Sequence, residues 1–349
     1  MSDFSRRVVH WQRQHGRHDL PWQQTRDPYP VWLSEIMLQQ TQVSAVLPYF
    51  QRFLARFPCL ETLAAATREE VLALWSGLGY YARARNLHAA ARLVVAEYGG
   101  RFPGTAAALA KLPGVGRSTA AAIAAFAFGE RAAILDGNVK RVLCRHFAVE
   151  GIPVGAVEKA LWTRAESLLP AASADMAAYT QGLMDLGATL CLRHVPDCAA
   201  CPLAATCRAR REGRTASLPT PRVSATKPER HAVFWLVTDG ERLLLQQRPS
   251  RGIWGGLLSL PEDEDWRGGA IFFTRAMTAL PQRVHVFTHF RLTISPRLVR
   301  LVRLPEIPAG YLALTFAQAR AAALPAPVAR LLAEAEILLN PDFALAAQV

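Results

Sequence analysis

Four cysteines, two isolated carboxylates and one glycine-rich turn are the parts of this chain best placed to do chemistry. Cys191, Cys198, Cys201 and Cys207 fall within 17 residues in the spacing Cys-x6-Cys-x2-Cys-x5-Cys. Clustered thiols in a chain without a visible secretory signal point to a metal centre before disulfides. Four thiolates suit either a [4Fe–4S] cluster or a zinc ion, although a structural zinc site usually pairs two Cys-x2-Cys knuckles and only one is present. Cys59 and Cys144 stand alone in apolar surroundings and read as buried thiols.

Glu35 is the only acidic residue between Asp27 and Glu61. It lies in Val31-Trp32-Leu33-Ser34-Glu35-Ile36-Met37-Leu38-Gln39-Gln40-Thr41-Gln42-Val43, read as a helix that begins at Pro28 and Pro30. An apolar setting raises the pKa of a carboxyl group. Asp136 stands in Ile134-Leu135-Asp136-Gly137-Asn138-Val139-Lys140-Arg141, just before another helix. Taken singly, Glu35 reads as a helix-dipole residue and Asp136 as an N-cap. The turn Leu112-Pro113-Gly114-Val115-Gly116-Arg117-Ser118 joins two helical stretches and offers backbone N–H groups to an anion. It resembles the helix–hairpin–helix that grips a DNA phosphate.

These residues need a scaffold, and composition bounds it. The 349 residues suggest two domains. With 51% hydrophobic and 19% charged residues the chain is globular rather than disordered. The longest apolar-rich run, Thr119 to Gly129, is too short to span a bilayer, and Met1 to Trp11 lacks the apolar stretch of a signal peptide. The net charge is +12, with 26 basic against 17 acidic residues in 1–226 and 14 against 11 in 227–349. Such an excess favours DNA, RNA or an anionic membrane surface as partner.

Residues 28–190 read as about eight short helices, with apolar residues recurring at three and four. Breaks fall near Pro58, Gly77–Gly79, Gly99–Pro103, Pro113–Gly116, Asp136–Asn138, Gly151–Pro153 and Pro170. Residues 208–228, rich in Arg and Pro, read as an extended, mobile linker. Strands then begin: Ala232–Val237 and Arg242–Gln247 flank the hairpin signal Asp239-Gly240, and Val284 to Ile294 alternates. Residues 316–338 return to a helical pattern, which makes the C-terminal part a separate α+β domain.

The order of His18-Asp19-Leu20-Pro21-Trp22, Trp32 to Val43, Gly77 to Leu87, the Gly114 hairpin, Asp136 to Arg141 and the Cys191 loop resembles the MutY family of adenine DNA glycosylases. The likeness covers nearly all of the chain and is strongest from about residue 18 to residue 207. It implies a multidomain fold: an all-α helix–hairpin–helix glycosylase with an iron–sulfur loop, followed by an α+β Nudix-like domain. Implied boundaries are a catalytic domain at 1–208, a basic linker at 209–228 and an 8-oxoguanine recognition domain at 229–349. Within the catalytic domain the hairpin lobe is expected at about 21–136, and the iron–sulfur lobe at 1–20 plus 137–208.

By the same resemblance Glu35 is the catalytic acid that protonates adenine, Asp136 the anion that stabilises the cationic sugar, and Asn138 a helper. Adenine must be flipped out of the duplex to be reached. Gln40 and Tyr80 are then expected to wedge the stack, and Trp22, Leu38, Thr41 and Gln181 to line the base pocket. Leu112, Gly114, Val115, Gly116 and Lys140 are expected DNA contacts, and the four cysteines would hold a [4Fe–4S] cluster. Endonuclease III-like relatives that cut the strand carry a Schiff-base Lys where this chain has Ser118, which implies a monofunctional enzyme.

In the C-terminal part, Trp254 to Glu262 resembles the start of a Nudix fold. Ala270, Ile271, Thr274 and Arg275 stand where a hydrolytic Nudix box carries its metal-binding acids and their neighbours. Phe287-Thr288-His289 resembles the family's Phe-Ser-His segment that reads 8-oxoguanine. The partner implied is double-stranded DNA with A opposite 8-oxoguanine or guanine, bound by a monomer in the cytoplasm of a bacterium. Two other readings stay open: a bifunctional glycosylase/lyase on oxidised pyrimidines, and a non-catalytic iron–sulfur DNA-binding module.

Overall fold

A computed structural model of the chain describes residues 2–222, 226–262 and 277–339. Positions 270, 271, 274 and 275, where a hydrolytic Nudix box carries its acids and their neighbours, lie outside the described residues. The chain divides into two compact units, Met1–Ala65 with Asn86–Ser224 and Ala66–Arg85 with Ala225–Val349.

The helices run α1 Asp3–His15, α2 Pro28–Leu38, α3 Val43–Arg56, α4 Leu60–Ala65, α5 Arg68–Trp75, α6 Ala82–Tyr98 and α7 Ala106–Leu109. They continue with α8 Arg117–Ile123, α9 Gly137–Phe147, α10 Gly155–Ser167, α11 Met176–Asp185 and α12 Arg208–Arg211. Two breaks that the sequence hid explain why 28–190 holds more helices than expected. One is the turn after Leu38, and the other is the capping box in which Thr67 and Glu70 satisfy each other's backbone N–H groups. Neither uses Gly or Pro.

In the first unit, α1 is capped by Ser2, which accepts from Ser5 N–H, and it buries Phe4, Val8, Val9 and Trp11. These side chains join Leu143, Cys144, Leu161, Tyr179 and Leu183 in one core. Ala121, Ala122 and Ala125 of the segment after the hairpin pack into the same core. The chain's first residues therefore share a core with α9, α10 and α11.

The expected mobile linker is ordered over its first half. Ala209 and Leu218 are buried, Arg145 Nε donates to the carbonyl of Leu218 at 2.8 Å, and Gly151 N–H donates to Thr220 Oγ1 at 3.1 Å. Cys59 also departs from expectation: it is exposed, while Cys144 is buried.

The second unit holds a mixed sheet of β1 Glu229–Thr238, β2 Arg242–Gln247, β3 Leu258–Ser259, β4 Met277–Ala279, β5 Arg283–Val286, β6 Arg291–Arg300 and β7 Tyr311–Thr315. The order is β3-β2-β1-β6-β4, with β5 also on β6 and β7 also on β2. β1 and β6 pair in parallel along their full length, and the other pairs are antiparallel. α13 Phe316–Ala321 and α14 Ala326–Leu339 follow, and α14 turns Val328, Leu331, Leu332 and Ala335 inward.

The alternation over 284–294 is not one strand. It is a hairpin, with Val286 opposite Arg291 and Phe287 N–H donating to the Phe290 carbonyl at 2.9 Å. The loop reverses the phase. Leu292 and Ile294 are buried, whereas Val284 and Val286 are exposed and His285 and Phe287 turn inward.

Candidate active site

Glu35 sits on α2, whose first turn is fixed by Asp27 accepting from Tyr29 N–H and by two prolines with preset φ. Trp32, Leu33, Ile36 and Met37 around it are almost fully buried. Burial, with a smaller push from the charge of Asp136, raises the Glu35 pKa to about 8. The carboxyl is therefore protonated at neutral pH. The helix stops at Leu38 because Gln40 takes a left-handed backbone (φ 57°), rare for a residue with a side chain. Gln40 is exposed, and Thr41 N–H closes the turn onto the Leu38 carbonyl at 3.2 Å.

Asp136 caps α9: its Oδ1 accepts from Val139 N–H at 2.8 Å. Burial raises its pKa, while the N–H groups of Val139 and Asn138 and the charges of Arg141 and Lys140 pull the other way. Burial wins at Asp136 and its pKa is raised on balance, yet the two interacting carboxyls sit in unlike settings: Asp136 has backbone N–H groups and two cations beside it, whereas Glu35 is pushed up by burial and by Asp136 itself. Asn138 accepts from Arg141 Nη2 at 2.8 Å. Arg141 also donates to the carbonyls of Gly187 at 2.6 Å and Cys191 at 2.7 Å. One guanidinium thereby ties the start of α9 to the turn Leu186–Leu190 and to the first cysteine. Lys140 pairs with Glu158 at 2.8 Å.

Cys191, Cys198, Cys201 and Cys207 line a single small cavity with Arg145, Leu190 and Pro196. The four cysteines are neighbours, since each of the other three adds to burial in raising the pKa of Cys201, although no three Cys, His, Asp or Glu side chains among the described residues are drawn together closely enough to hold a metal ion. Arg145, buried at 2% exposure, donates from Nη1 to Cys191 Sγ at 3.3 Å and to the Leu192 carbonyl at 2.6 Å. A buried cation beside four thiols fits a cluster that carries net negative charge.

A second cavity of about 390 Å³ lies within the first unit. Trp22 and Gln181 wall it, together with Gln12, Arg17, His18 and Ser34. Of the four expected base-pocket residues, Leu38 and Thr41 are not in its wall. Glu35 and Leu38 follow Val31 and Ser34 of that wall by one helical turn on the same face of α2. Trp22 packs edge-on to Phe50 at 5.1 Å.

The Gly114 hairpin is closed by Val115 N–H donating to the Leu112 carbonyl at 3.1 Å. Gly114 has φ 77°, and a Cβ there would stand 2.7 Å from Asn86 Cβ, so geometry and space both demand glycine. Gln39 Nε2 donates to the Gly114 carbonyl and to Thr119 Oγ1, each at 3.3 Å, which ties the turn holding Gln40 to the hairpin. Ser118 Oγ accepts from Leu135 N–H at 2.9 Å and so braces the segment that delivers Asp136.

Residues 33–167 match the model of the HhH-GPD superfamily base excision DNA repair protein, and residues 232–334 match the NUDIX domain. The adenine DNA glycosylase of Buchnera aphidicola subsp. Acyrthosiphon pisum is 36% identical over 310 residues, covering 87% of this chain and 88% of that one. The chain belongs to the adenine DNA glycosylase family. The human adenine DNA glycosylase is 46% identical over 218 residues, 59% of this chain and 39% of its own length. The solved structure of a thermostable thymine-DNA glycosylase overlays with a TM-score of 0.54 at 33% identity, covering 60% of this chain and 95% of that chain.

The remaining positions singled out by likeness to the adenine DNA glycosylase family lie in the second unit. Tyr80 is 49% exposed and, like Gln40, left-handed (φ 49°). Thr288 and His289 are exposed at the tip of the β5–β6 hairpin. Phe287 stacks on Phe290 at 4.4 Å and faces Trp254 at 5.4 Å. Sequence reading missed Arg17, Asp185, Arg145 and Gly187. Arg141 and Arg145 were legible as one helix face, four residues apart. Nothing in the sequence pattern marks Gly187. No helix among the described residues is long and apolar enough to cross a membrane.

Proposed function

We propose that this chain is an adenine DNA glycosylase of base excision repair that removes adenine mispaired with 8-oxoguanine or guanine and leaves an abasic site. The observation that carries the reading is Glu35, held neutral at a pKa of about 8, with the Asp136 carboxyl near enough to raise it and itself capped by the Val139 N–H. A neutral carboxylic acid can give its proton to N7 of adenine, which turns the base into a better leaving group. The Asp136 carboxylate then faces the electron-poor sugar and lowers the cost of its positive charge. Glu35, left as an anion, takes a proton from the attacking water. Asn138, oriented by Arg141, positions that water or an adjacent phosphate.

The flipped base enters the cavity walled by Trp22 and Gln181. Leu38 and Thr41, outside that wall, are read as further contacts to the base. Gln40 and Tyr80, each exposed and each left-handed in its backbone, are read as the residues that fill the vacated stack. Leu112, Gly114, Val115 and Gly116 hold a phosphate by backbone N–H groups, and Lys140 adds charge. The four cysteines would hold a [4Fe–4S] cluster, whose contribution is to cross-link the loop that Arg141 and Arg145 grip. Thr288 and His289 read the 8-oxoguanine edge. Ser118 has no amine to form an imine with the sugar, so strand cutting is not expected.

Single-turnover assays on labelled duplexes with A opposite 8-oxoguanine, with and without alkali, test this reading. Breaks at adenine only after alkali are expected. Breaks without alkali, or activity confined to a thymine-glycol duplex, would overturn it.

A further inference from the structure

The Gln181 amide in the cavity wall is oriented by a residue outside that wall. Asp185 lies one turn along α11 from Gln181 and is fully buried. Its Oδ1 accepts from Gln181 Nε2 at 2.8 Å and from Arg17 Nε at 2.7 Å, and its Oδ2 accepts from Arg17 backbone N–H at 3.0 Å. A carboxylate accepts hydrogen bonds and does not donate them. Gln181 must therefore turn its NH2 group toward Asp185, which leaves its carbonyl oxygen as the end available to the cavity.

We propose that Asp185, clamped by Arg17, is the positioning residue that sets base selectivity: it holds Gln181 with an acceptor toward the flipped base. The site then takes a purine with a donating amino group at position six and rejects one with a carbonyl there. The inference rests on the adenine glycosylase reading above. Two carbonyl oxygens facing each other in a desolvated site share no proton, and such unpaired groups are how polar pockets discriminate. The Arg17 ion pair matches the buried charge, so the carboxylate can act as a fixed acceptor.

The test compares single-turnover release of adenine and of hypoxanthine, each opposite 8-oxoguanine, by the wild type, Asp185→Asn and Gln181→Met. Hypoxanthine carries the carbonyl at position six. An Asn at 185 offers Gln181 a donor and lets its amide turn over. The wild type is expected to favour adenine by about a hundredfold or more, and both variants to narrow that ratio by about tenfold or more. A purely structural Asp185 would slow both bases alike, and equal slowing overturns the proposal. Should Asp185→Asn fail to fold by circular dichroism, Gln181→Met decides, and an unchanged ratio there also overturns it. A wild type that releases both bases at one rate refutes the selectivity device while leaving adenine release standing. Release of neither base from a tightly bound duplex removes the glycosylase reading and this proposal with it.

Discussion

Gly187 and Asn138 approach so closely that a Cβ built on the glycine stands 2.5 Å from the Cβ of the asparagine and 3.0 Å from its Cα. Backbone as well as side chain would have to move, and the backbone concerned begins two residues after Asp136. Gly187→Ala is expected to slow single-turnover base release by about tenfold or more and to cost about 1–3 kcal/mol of stability. Duplex binding should change little, because the hairpin is remote in sequence and separately braced. Urea melts and a filter-binding titration beside the rate assay check all three.

Glu35 makes pH a direct probe. Its folded pKa of about 8 lies above the ordinary 4.5, so the acid is armed at neutral pH and base release should fall as pH rises through about 8. The same shift has a stability sign. The folded state holds a proton that the unfolded chain gives up, so stability is full below about 4.5 and is lost as pH rises through about 8. Glu35→Gln should cut base release by about 10²–10⁴-fold. At pH 8.5 it should also raise stability, on the order of 2 kcal/mol, while leaving stability at pH 4 nearly unchanged. Equal melting curves for wild type and variant at pH 8.5 would contradict a buried, neutral Glu35.

Gly114→Ala meets both a left-handed backbone and the Asn86 side chain. Its expected effect is on DNA: affinity should drop by about tenfold or more, and the salt dependence of binding should shallow by about one phosphate contact. Titrations at two salt concentrations separate this from general destabilisation.

Arg145→Met would leave the carbonyls of Leu192, Arg193 and Leu218 without their donor inside the fold. A loss of about 3 kcal/mol is expected. Iron per purified chain should fall with it, as it should in Cys201→Ser. Iron assay and thermal melting report the two effects independently.

Thr288→Ala removes the one hydroxyl at the tip of the β5–β6 hairpin. The rate on A opposite 8-oxoguanine should fall toward the rate on A opposite guanine, a change in ratio of about fivefold or more for one lost hydrogen bond. Rates measured on the two duplexes side by side give the ratio directly.

The elements most legible in the sequence were those whose signal is local. Asp239-Gly240 marks the β1–β2 hairpin locally: Asp239 N–H donates to the Arg242 carbonyl across the turn, and Gly240 supplies its left-handed residue at φ 100°. The cysteine spacing and the Gly114 turn are similarly self-contained. What escaped notice depends on partners far along the chain. Asp185 gains its meaning from Arg17, 168 residues away. The end of α2 at Leu38 has no breaker residue, since Gln40 is held left-handed by its surroundings rather than by its own preference. Likewise the alternation over 284–294 predicts one strand, because a period of two looks the same whether or not a four-residue loop inverts it. The order of 208–220 was hidden for a related reason: an Arg- and Pro-rich stretch resembles a linker until its Leu218 carbonyl finds Arg145.

The loop 287–290 sets a rule for change at that end of the molecule. Its closing hydrogen bond and the Phe287–Phe290 stack fix how many residues separate β5 from β6. One residue more or fewer would turn His285 and Phe287 outward and Val284 and Val286 inward along the whole of β5. Thr288 and His289, by contrast, carry no part of that register. Substitution at the two tip residues therefore leaves the register intact and can change only what the loop recognises, whereas a change of loop length shifts the register of β5. Altered lesion preference in relatives of this protein should arise there by substitution, with insertions and deletions absent.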